Sequence, residues 1–237
     1  MIAAMLRIKN EARWIRAAVA SILPVCERVF VLDDHSSDGS GEICRSFGEK
    51  VVVIPSPFEG IDETRDKNLL LSEVTRCAPQ WCLCIDGDEI LEPSGPDHLL
   101  AAISHASCQC YSMRIVYLWN RPDAMRVDGV YGRFWRPSLF RPQAGLWFRT
   151  TSYGGHFHCG NVPADLLHSS ATLPARLYHL GYMCREDRLK KYYWYNRIDP
   201  GNEDEDCYRH MIQGDLPEVP AHLALKHAGP LKIARLS

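Results

Sequence analysis

The sequence predicts an α/β protein built on a mostly parallel central sheet with helices on both faces. Three observations predict this class. In the first ninety residues, four short apolar runs alternate with segments whose apolar residues recur at helical spacing. Each run is apolar throughout, which is typical of a strand that is covered on both faces. Each run also ends before polar residues or a proline, where a turn is expected.

The predicted elements of this first part follow in a regular order. The apolar runs predict strands at residues 1–6, 29–32, 51–54 and 81–85. Helical spacing predicts helices between them at residues 11–23, 41–47 and 62–77. A repeated strand–helix order of this kind produces parallel strands joined by crossover helices.

After about residue 95 the pattern changes. Residues 111–119 alternate apolar with polar side chains, as a long antiparallel strand does. Shorter strands are indicated near residues 139–140 and 146–148. A helix is predicted at 186–197, and we expect the last 20 residues to be irregular.

Composition and charge exclude several classes of protein. The 237 residues are 46% hydrophobic and 24% charged, which is typical of a folded domain and not of a disordered chain. With 27 basic and 29 acidic residues the net charge is −2, whereas a protein that binds nucleic acid needs a basic excess. No apolar stretch reaches the roughly 18 residues that a transmembrane segment requires.

Cysteine usage predicts where the protein is found. Ten cysteines are scattered through the chain, and Arg7 and Lys9 place charge too early for a secretory signal. We therefore expect reduced, mostly buried thiols and a cytoplasmic protein without a transmembrane segment.

An acidic turn follows the second predicted strand, at residues 33–40. Asp33 and Asp34 can accept hydrogen bonds from the imide N–H of a nucleobase or from ribose hydroxyls. The same pattern also fits an ordinary turn that leads into a helix with Ser40 as its N-cap. The spacing leaves both interpretations open.

A second acidic turn, residues 86–89, follows the fourth predicted strand. Asp86, Asp88 and Glu89 repel one another unless a cation or hydrogen-bond donors neutralise them. Mg²⁺ or Mn²⁺ bound to a diphosphate suits such oxygen ligands, although a solvated acidic turn is the alternative. Because ligands of parallel sheets bind beyond the carboxyl ends of the strands, both turns predict a ligand site there.

Four segments, taken together, resemble the GT-A glycosyltransferases of the family 2 type. They are residues 9–11, 29–40, 66–68 and 84–89. The resemblance implies one domain over residues 1–237, with a Rossmann-like nucleotide-sugar-binding half followed by an acceptor-binding half. The first half is residues 1–95 and the second is residues 96–237. Members of this family are typically inverting enzymes that use Mn²⁺ or Mg²⁺.

The resemblance also implies roles for individual residues. It implies nucleotide-sugar contacts for Asn10, Glu11, Asp34, Arg65, Lys67 and Asp86. Arg65 and Lys67 would reach the diphosphate, although a solvated helix face is the alternative for both. Asp88 would bind the metal and so assist catalysis. His179, in the segment 178–182, would be a further metal ligand or a diphosphate contact, and a histidine of the core is the alternative.

Inverting transfer requires a base that deprotonates the acceptor. His158 is the candidate base, and the other candidates are Asp128, Asp165 and His156. Four aromatic residues could stack on an acceptor sugar, although residues of this kind more often belong to the core. They are Trp119, Trp135, Tyr153 and Trp147.

The expected reaction is transfer of a sugar from a nucleotide diphosphate sugar, with UDP the commonest nucleotide in the family, to an unidentified acceptor. A sugar nucleotidyltransferase would need a glycine-rich basic segment after the first strand, but residues 9–13 contain no glycine. A non-catalytic nucleotide-sugar-binding protein is the remaining alternative.

Overall fold

The structure is a computed structural model that describes residues 1–150, 159–203 and 206–236. Its strands are β1 Ile2–Ile8, β2 Arg28–Asp33, β3 Val51–Pro55, β4 Trp81–Cys84, β5 Glu89–Leu91, β6 Cys110–Trp119, β7 Arg121–Arg126, β8 Trp135–Phe140, β9 Ser170–His179 and β10 Ile233–Arg235. Its α-helices are α1 Ile15–Ile22, α2 Ser40–Arg45, α3 Glu63–Arg76, α4 Gly95–Ser104 and α5 Arg185–Ile198. Two 3₁₀ segments are Ala164–Ser169 and Asp206–Ile212.

The chain forms two compact units. The first unit contains Met1–Met113 and Arg136–Leu177, and the second contains Arg114–Trp135 and Tyr178–Ser237. In the described ranges, no helix combines the length and the apolar character needed to cross a membrane.

The sheet of the first unit is mostly parallel, as predicted. Its strand order is β8-β4-β1-β2-β3. Strands β1, β2, β3 and β4 run parallel, whereas β8 is antiparallel to β4. The predicted strands at 1–6, 29–32, 51–54 and 81–85 are therefore confirmed. Their carboxyl ends lie at one edge of the sheet.

Apolar side chains bury both faces of this sheet. Ala3 and Met5 of β1 pack in one cluster with Leu70 and Val74 of α3. Side chains alternate across a strand, so Leu6 points to the opposite face, where it is also fully buried. The sheet is thus covered on both sides, as the continuous apolar runs indicate.

The second unit contains antiparallel pairing near the end of the chain. Strand β10 pairs with β7, with Ala234 opposite Met125. The expectation that the last 20 residues are irregular is therefore wrong for Ile233–Arg235. The pairing with β7 supplies backbone hydrogen bonds that the short β10 segment cannot make alone.

Helix α5 confirms the helix predicted at 186–197. Tyr193 is 60% exposed. Leu189, Tyr192 and Tyr195 instead pack against a buried cluster. That cluster consists of Tyr208, Met211, Ile212 and Val219.

Two other boundaries differ from the prediction. Residues 146–148 form no strand, because the backbone N–H and C=O of Phe148 pair with the side chain of Asn68. Helix α1 begins at Ile15 and not at residue 11, because the preceding loop is hydrogen-bonded to the 33–40 turn.

Candidate functional site

Polar segments follow three strands at the carboxyl edge of the first unit's sheet. They are residues 9–11 after β1, 33–40 after β2 and 86–89 after β4. The backbone N–H of Asp34 donates to the carbonyl of Ile8 at 2.9 Å, which joins the first two segments. A Cβ atom at Gly87 would lie 3.3 Å from Cγ of Glu11, which shows how closely the third segment approaches the first. The structure thus brings the predicted motifs together.

Side chains join the loop after β1 to the turn after β2. Oδ1 of Asn10 accepts a hydrogen bond from the backbone N–H of Ser37 at 2.8 Å. The backbone N–H of Glu11 donates to Oγ of Ser40 at 2.8 Å. Asn10 has a positive φ of 56°, which asparagine tolerates better than most residues. The two segments therefore form one rigid rim. Ser40 is the first residue of α2 and not its N-cap.

Asp34 presents a buried oxygen at this rim. Its side chain is 1% exposed, and Oδ2 accepts hydrogen bonds from Arg7 at 2.6 Å and from Lys9 at 3.2 Å. Arg7 is itself fixed by Asp66, at 2.7 Å. Oδ1 of Asp34 is buried and accepts no hydrogen bond from the part of the chain that the structure describes. A buried acceptor without a donor is unusual, and a ligand N–H or O–H would satisfy it.

Arg136 bridges two carboxylates of the acidic turn 86–89. Its guanidinium donates from Nη1 to Oδ2 of Asp86 at 2.9 Å and from Nη2 to Oε2 of Glu89. Arg136 lies on β8, whose antiparallel register pairs Leu83 with Leu139. Continuing this register by three residues places Arg136 opposite Asp86. The sequence alone does not identify Arg136 as a partner of the 86–89 turn, because the register between β4 and β8 depends on the tertiary fold.

Glu89 lies under the turn and is fully buried. Its Oε2 also accepts the backbone N–H of Asp86 at 3.0 Å, so the carboxylate shapes the turn. Oε1 is buried and has no hydrogen-bond partner in the described ranges. Burial, and to a lesser extent the charge of Asp86, raise the pKa of Glu89 to about 7 against the opposing effect of Arg136. Asp88, between them, is 3% exposed.

These residues suit a hard divalent cation in their donor chemistry. The oxygens are all from carboxylates, and Oε1 of Glu89 is a buried acceptor that a cation would satisfy. Among the residues that the structure describes, however, no group of three or more His, Cys, Asp and Glu side chains is arranged to hold an ion. The positive charge that faces Asp86 and Glu89 here is Arg136.

Arg65 is hydrogen-bonded to the loop that precedes α3. Its Nη2 donates to the carbonyl of Gly60 at 2.8 Å, and its Nε donates to Asp66 at 2.9 Å. Its guanidinium also lies 4.3 Å from the centre of the Phe58 ring. The diphosphate contact of Arg65 stays a prediction.

Lys67 is buried, and it is not part of a solvated helix face. Its ammonium donates to Oδ1 of Asn161 at 2.9 Å and to the carbonyls of Cys159 and Gly160 at 3.0 and 3.3 Å. Glu63 lies 3.3 Å away. Burial is the largest single effect on the pKa of Lys67 and lowers it, but the negative charges nearby, that of Glu63 foremost, together hold this pKa above its usual range. These contacts direct the ammonium into the protein. For Lys67 to contact a diphosphate as predicted, these hydrogen bonds would have to break.

Comparison with known proteins identifies the family. The model of glycosyl transferase family 2 matches residues 6–163, which include all three segments of the carboxyl edge. The chain belongs to glycosyl transferase family 2.

Relatives of this family 2 chain include an uncharacterised protein of Mycobacterium tuberculosis that is 25% identical over 210 residues. That alignment covers 84% of the chain and 51% of the mycobacterial protein. An uncharacterised glycosyltransferase of Rickettsia bellii is 26% identical over 199 residues, which cover 82% of the chain and 65% of the rickettsial protein. The chain thus spans only about half to two thirds of these relatives.

Solved structures confirm the fold. The chain is similar to Staphylococcus aureus TarS, crystallised with UDP-GlcNAc, with a TM-score of 0.56 and 12% sequence identity. The similarity covers 90% of this chain and 71% of the TarS chain. This likeness supports a GT-A fold for the family 2 chain.

In the second unit of the family 2 chain, His179 lies among aromatic rings. Its ring centre is 4.6 Å from that of Tyr182 and 5.0 Å from that of Tyr117. This environment resembles that of a core histidine, and metal ligation by His179 stays a prediction. His158, His156 and Tyr153 lie outside the described residues.

Two other candidates of the second unit have structural roles. Asp128 is buried and accepts two hydrogen bonds from Arg126, at 2.9 and 3.0 Å. Both of its oxygens are held by a buried guanidinium, which is typical of a structural ion pair, and its role as a base stays a prediction. Trp119 is 1% exposed and lies between the guanidinium groups of Arg126 and Arg188, at 4.8 and 4.2 Å. It belongs to the core and not to an acceptor surface.

The remaining candidates are at the protein surface. Asp165 is half exposed, 3.4 Å from Arg149. Trp135 and Trp147 are 43% and 58% exposed. Their contact with an acceptor stays a prediction.

Proposed function

We propose that this family 2 glycosyltransferase moves a sugar from a nucleotide diphosphate sugar to an acceptor hydroxyl, with inversion and with UDP as the nucleotide. The single observation that carries the proposal is the buried Oδ1 of Asp34, which has no donor in the described ranges. It lies at the carboxyl edge of a parallel sheet, where nucleotides bind in open α/β folds. TarS, of similar fold, holds UDP-GlcNAc, so UDP sugars are the first donors to test.

Asp34 would accept a hydrogen bond from the base or ribose of the donor. Arg7 and Lys9 keep its carboxylate oriented, because both contact Oδ2 and leave Oδ1 without a donor in the described ranges. Glu11 and Asn10 would complete the nucleoside pocket, since the 9–12 loop is fixed against the 33–40 turn. A preorganised rim of this kind binds with a small loss of conformational entropy.

The chemical step is a single displacement. The acceptor oxygen bonds to the anomeric carbon, the bond from that carbon to the diphosphate oxygen breaks, and the acceptor proton passes to a base. We assign the base to His158 and the ligation of Mn²⁺ or Mg²⁺ to Asp88 and His179, with Asp86 beside the ribose. A divalent cation, when bound, supplies positive charge that stabilises the leaving diphosphate. We assign donor binding to residues 1–95 and acceptor binding to residues 96–237.

Donor binding is tested by thermal unfolding with UDP, GDP, dTDP and CMP sugars, each with and without Mn²⁺. A ligand at about 100 times its Kd stabilises the folded state by about 2.7 kcal/mol, which raises Tm by several degrees. We expect this shift with UDP sugars. Asp34→Asn should abolish most of it, because the amide presents a different hydrogen-bonding pattern and a neutral partner to Arg7.

Asp123→Asn is the matched control, since Asp123 is an exposed carboxylate paired with an arginine in the second unit. It should retain the full Tm shift. An Asp34→Asn protein that is folded and still stabilised by UDP sugars would contradict the proposed pocket.

Inversion is tested with water as the acceptor. If the protein slowly hydrolyses an α-linked UDP sugar, proton NMR at early times should show the β-anomer of the free sugar. Formation of a nucleotide sugar from a nucleoside triphosphate and a sugar phosphate, with release of pyrophosphate, would instead establish a nucleotidyltransferase.

A further inference from the structure

Arg136 contacts two of the three carboxylates in the turn that also contains Asp88, the proposed ligand of the divalent cation. Arg136 contacts Oδ2 of Asp86 and Oε2 of Glu89, and its Nε lies 3.4 Å from Oγ of Ser138. These are two of the three carboxylates of the 86–89 turn. A divalent ion placed among them would lie within a few ångströms of the guanidinium, where like charges repel strongly at low effective dielectric constant.

The Arg136–Asp86 ion pair lies where water can replace Arg136 as the partner of Asp86. The side chain of Arg136 is 17% exposed and that of Asp86 is 45% exposed, so the Arg136–Asp86 contact lies at the solvent boundary. Glu89 is completely buried and is held additionally by the backbone N–H of Asp86. Asp86 can therefore release Arg136 to water, whereas Glu89 stays in place.

We propose that Arg136 is a built-in counter-ion of the 86–89 turn whose positive charge opposes the binding of a divalent cation at Asp88. It is a positioning residue: in the donor-free protein its single positive charge offsets part of the negative charge of Asp86 and Glu89 and preserves the shape of the turn. Release of Arg136 from Asp86 would allow Asp88 to hold a divalent cation. This inference rests on the proposed use of a divalent cation by the enzyme.

Binding of Mn²⁺ to the donor-free protein tests the competition, and it is measured by the electron paramagnetic resonance signal of free Mn²⁺. Arg136→Gln removes the competing charge, so it should bind Mn²⁺ about tenfold or more tightly than the wild type. Arg136→Lys keeps the charge and should remain close to the wild type. Arg76→Gln is the matched control, because Arg76 makes an exposed ion pair with Glu73 on α3, and its Mn²⁺ affinity should be unchanged.

The outcomes separate this inference from the proposed function. Equal or weaker Mn²⁺ binding by a folded Arg136→Gln protein overturns the competition and leaves the proposed transferase intact. If neither protein binds Mn²⁺, with or without UDP, both the competition and the use of a metal are overturned. The UDP-sugar thermal shifts would still report on donor binding in that case.

A second measurement uses the wild-type protein, in case Arg136→Gln does not fold. The guanidinium Nε–H signal of Arg136 is assigned by NMR from its loss in Arg136→Lys and is followed during titration with Mg²⁺. We expect its chemical shift to change and to saturate with Mg²⁺ binding. Saturable binding of Mg²⁺ that leaves this signal unmoved would overturn the inference.

Discussion

Burial determines how much the ion pairs in and next to β7 contribute to the stability of the folded protein. Arg121 and Asp123 form an ion pair at 2.8 Å that is exposed on both sides. Arg126 and Asp128 have the same spacing in the sequence, but both side chains are almost completely buried. Exposed pairs contribute little to stability, whereas a buried charge that loses its partner is strongly destabilising.

Further contacts tie Arg126 into the core of the second unit. It donates from Nη1 to the carbonyl of His210 at 2.6 Å and from Nη2 to the side chain of Gln213. Its guanidinium also lies 4.2 Å from the centre of the Tyr131 ring. The charge therefore cannot move to water when the carboxylate of Asp128 is removed.

We predict that Asp128→Asn lowers the free energy of unfolding by about 3–5 kcal/mol, because it leaves the buried guanidinium of Arg126 without a counter-charge. The matched variant Asp123→Asn should show no measurable change. Urea unfolding followed by tryptophan fluorescence measures both. A folded Asp128→Asn protein of normal stability with greatly reduced turnover would instead support Asp128 as the base.

Among the elements, α3 fixes segments that are far away in the sequence. Its N-cap, Asp62, accepts a hydrogen bond from the backbone N–H of Arg65 at 2.9 Å. The amide of Asn68 donates to the carbonyl of Phe148 at 2.9 Å and accepts its N–H at 2.8 Å, which imitates the pairing of a strand. Lys67 holds residues 159–161 in the same way. One helix thus organises the chain at 148 and at 159–161.

We predict that Lys67→Met lowers the free energy of unfolding by about 2–4 kcal/mol, because it leaves several buried acceptors without a donor. Arg76→Met, an exposed position on the same helix, should have little effect. Urea unfolding measures stability, and hydrogen exchange of peptides that contain residues 159–161 should show faster exchange in Lys67→Met. Unchanged stability combined with loss of UDP affinity would instead support the predicted diphosphate contact of Lys67.

Across the whole molecule, the cysteines serve as small apolar residues. All ten are free thiols, and seven of them are buried. Burial raises the pKa of Cys26 to about 12, with a small opposing effect of Lys50. Burial also raises the pKa of Cys84 to about 12. The expectation of mostly buried cysteines is confirmed.

We predict that iodoacetamide at pH 8 modifies Cys77 first, because it is exposed. Cys184 and Cys207 are partly exposed and should react more slowly. The buried thiols should react only after unfolding, since burial excludes the reagent, and a raised pKa also keeps Cys26 and Cys84 protonated at this pH. Intact mass spectrometry should show ten modifications in denaturant. Rapid modification of Cys84 in the native protein would contradict the packing of β4.

The sequence by itself determined the α/β class, the parallel strands β1 to β4 and the placement of Asn10, Glu11, Asp34, Asp86 and Asp88 at one edge. Hydrophobic periodicity is a local property, and parallel strands joined by helices must end on the same side. The tertiary structure alone decided that Arg136 faces Asp86, that Lys67 points into the protein and that Asp128 pairs with Arg126. The contacts of Arg136 and Lys67 join segments about 50 and 90 residues apart, through an antiparallel register and an irregular loop that no short pattern encodes. For Asp128, burial distinguishes its pair from the neighbouring Arg121–Asp123 pair of the same spacing, and burial depends on how the whole second unit packs.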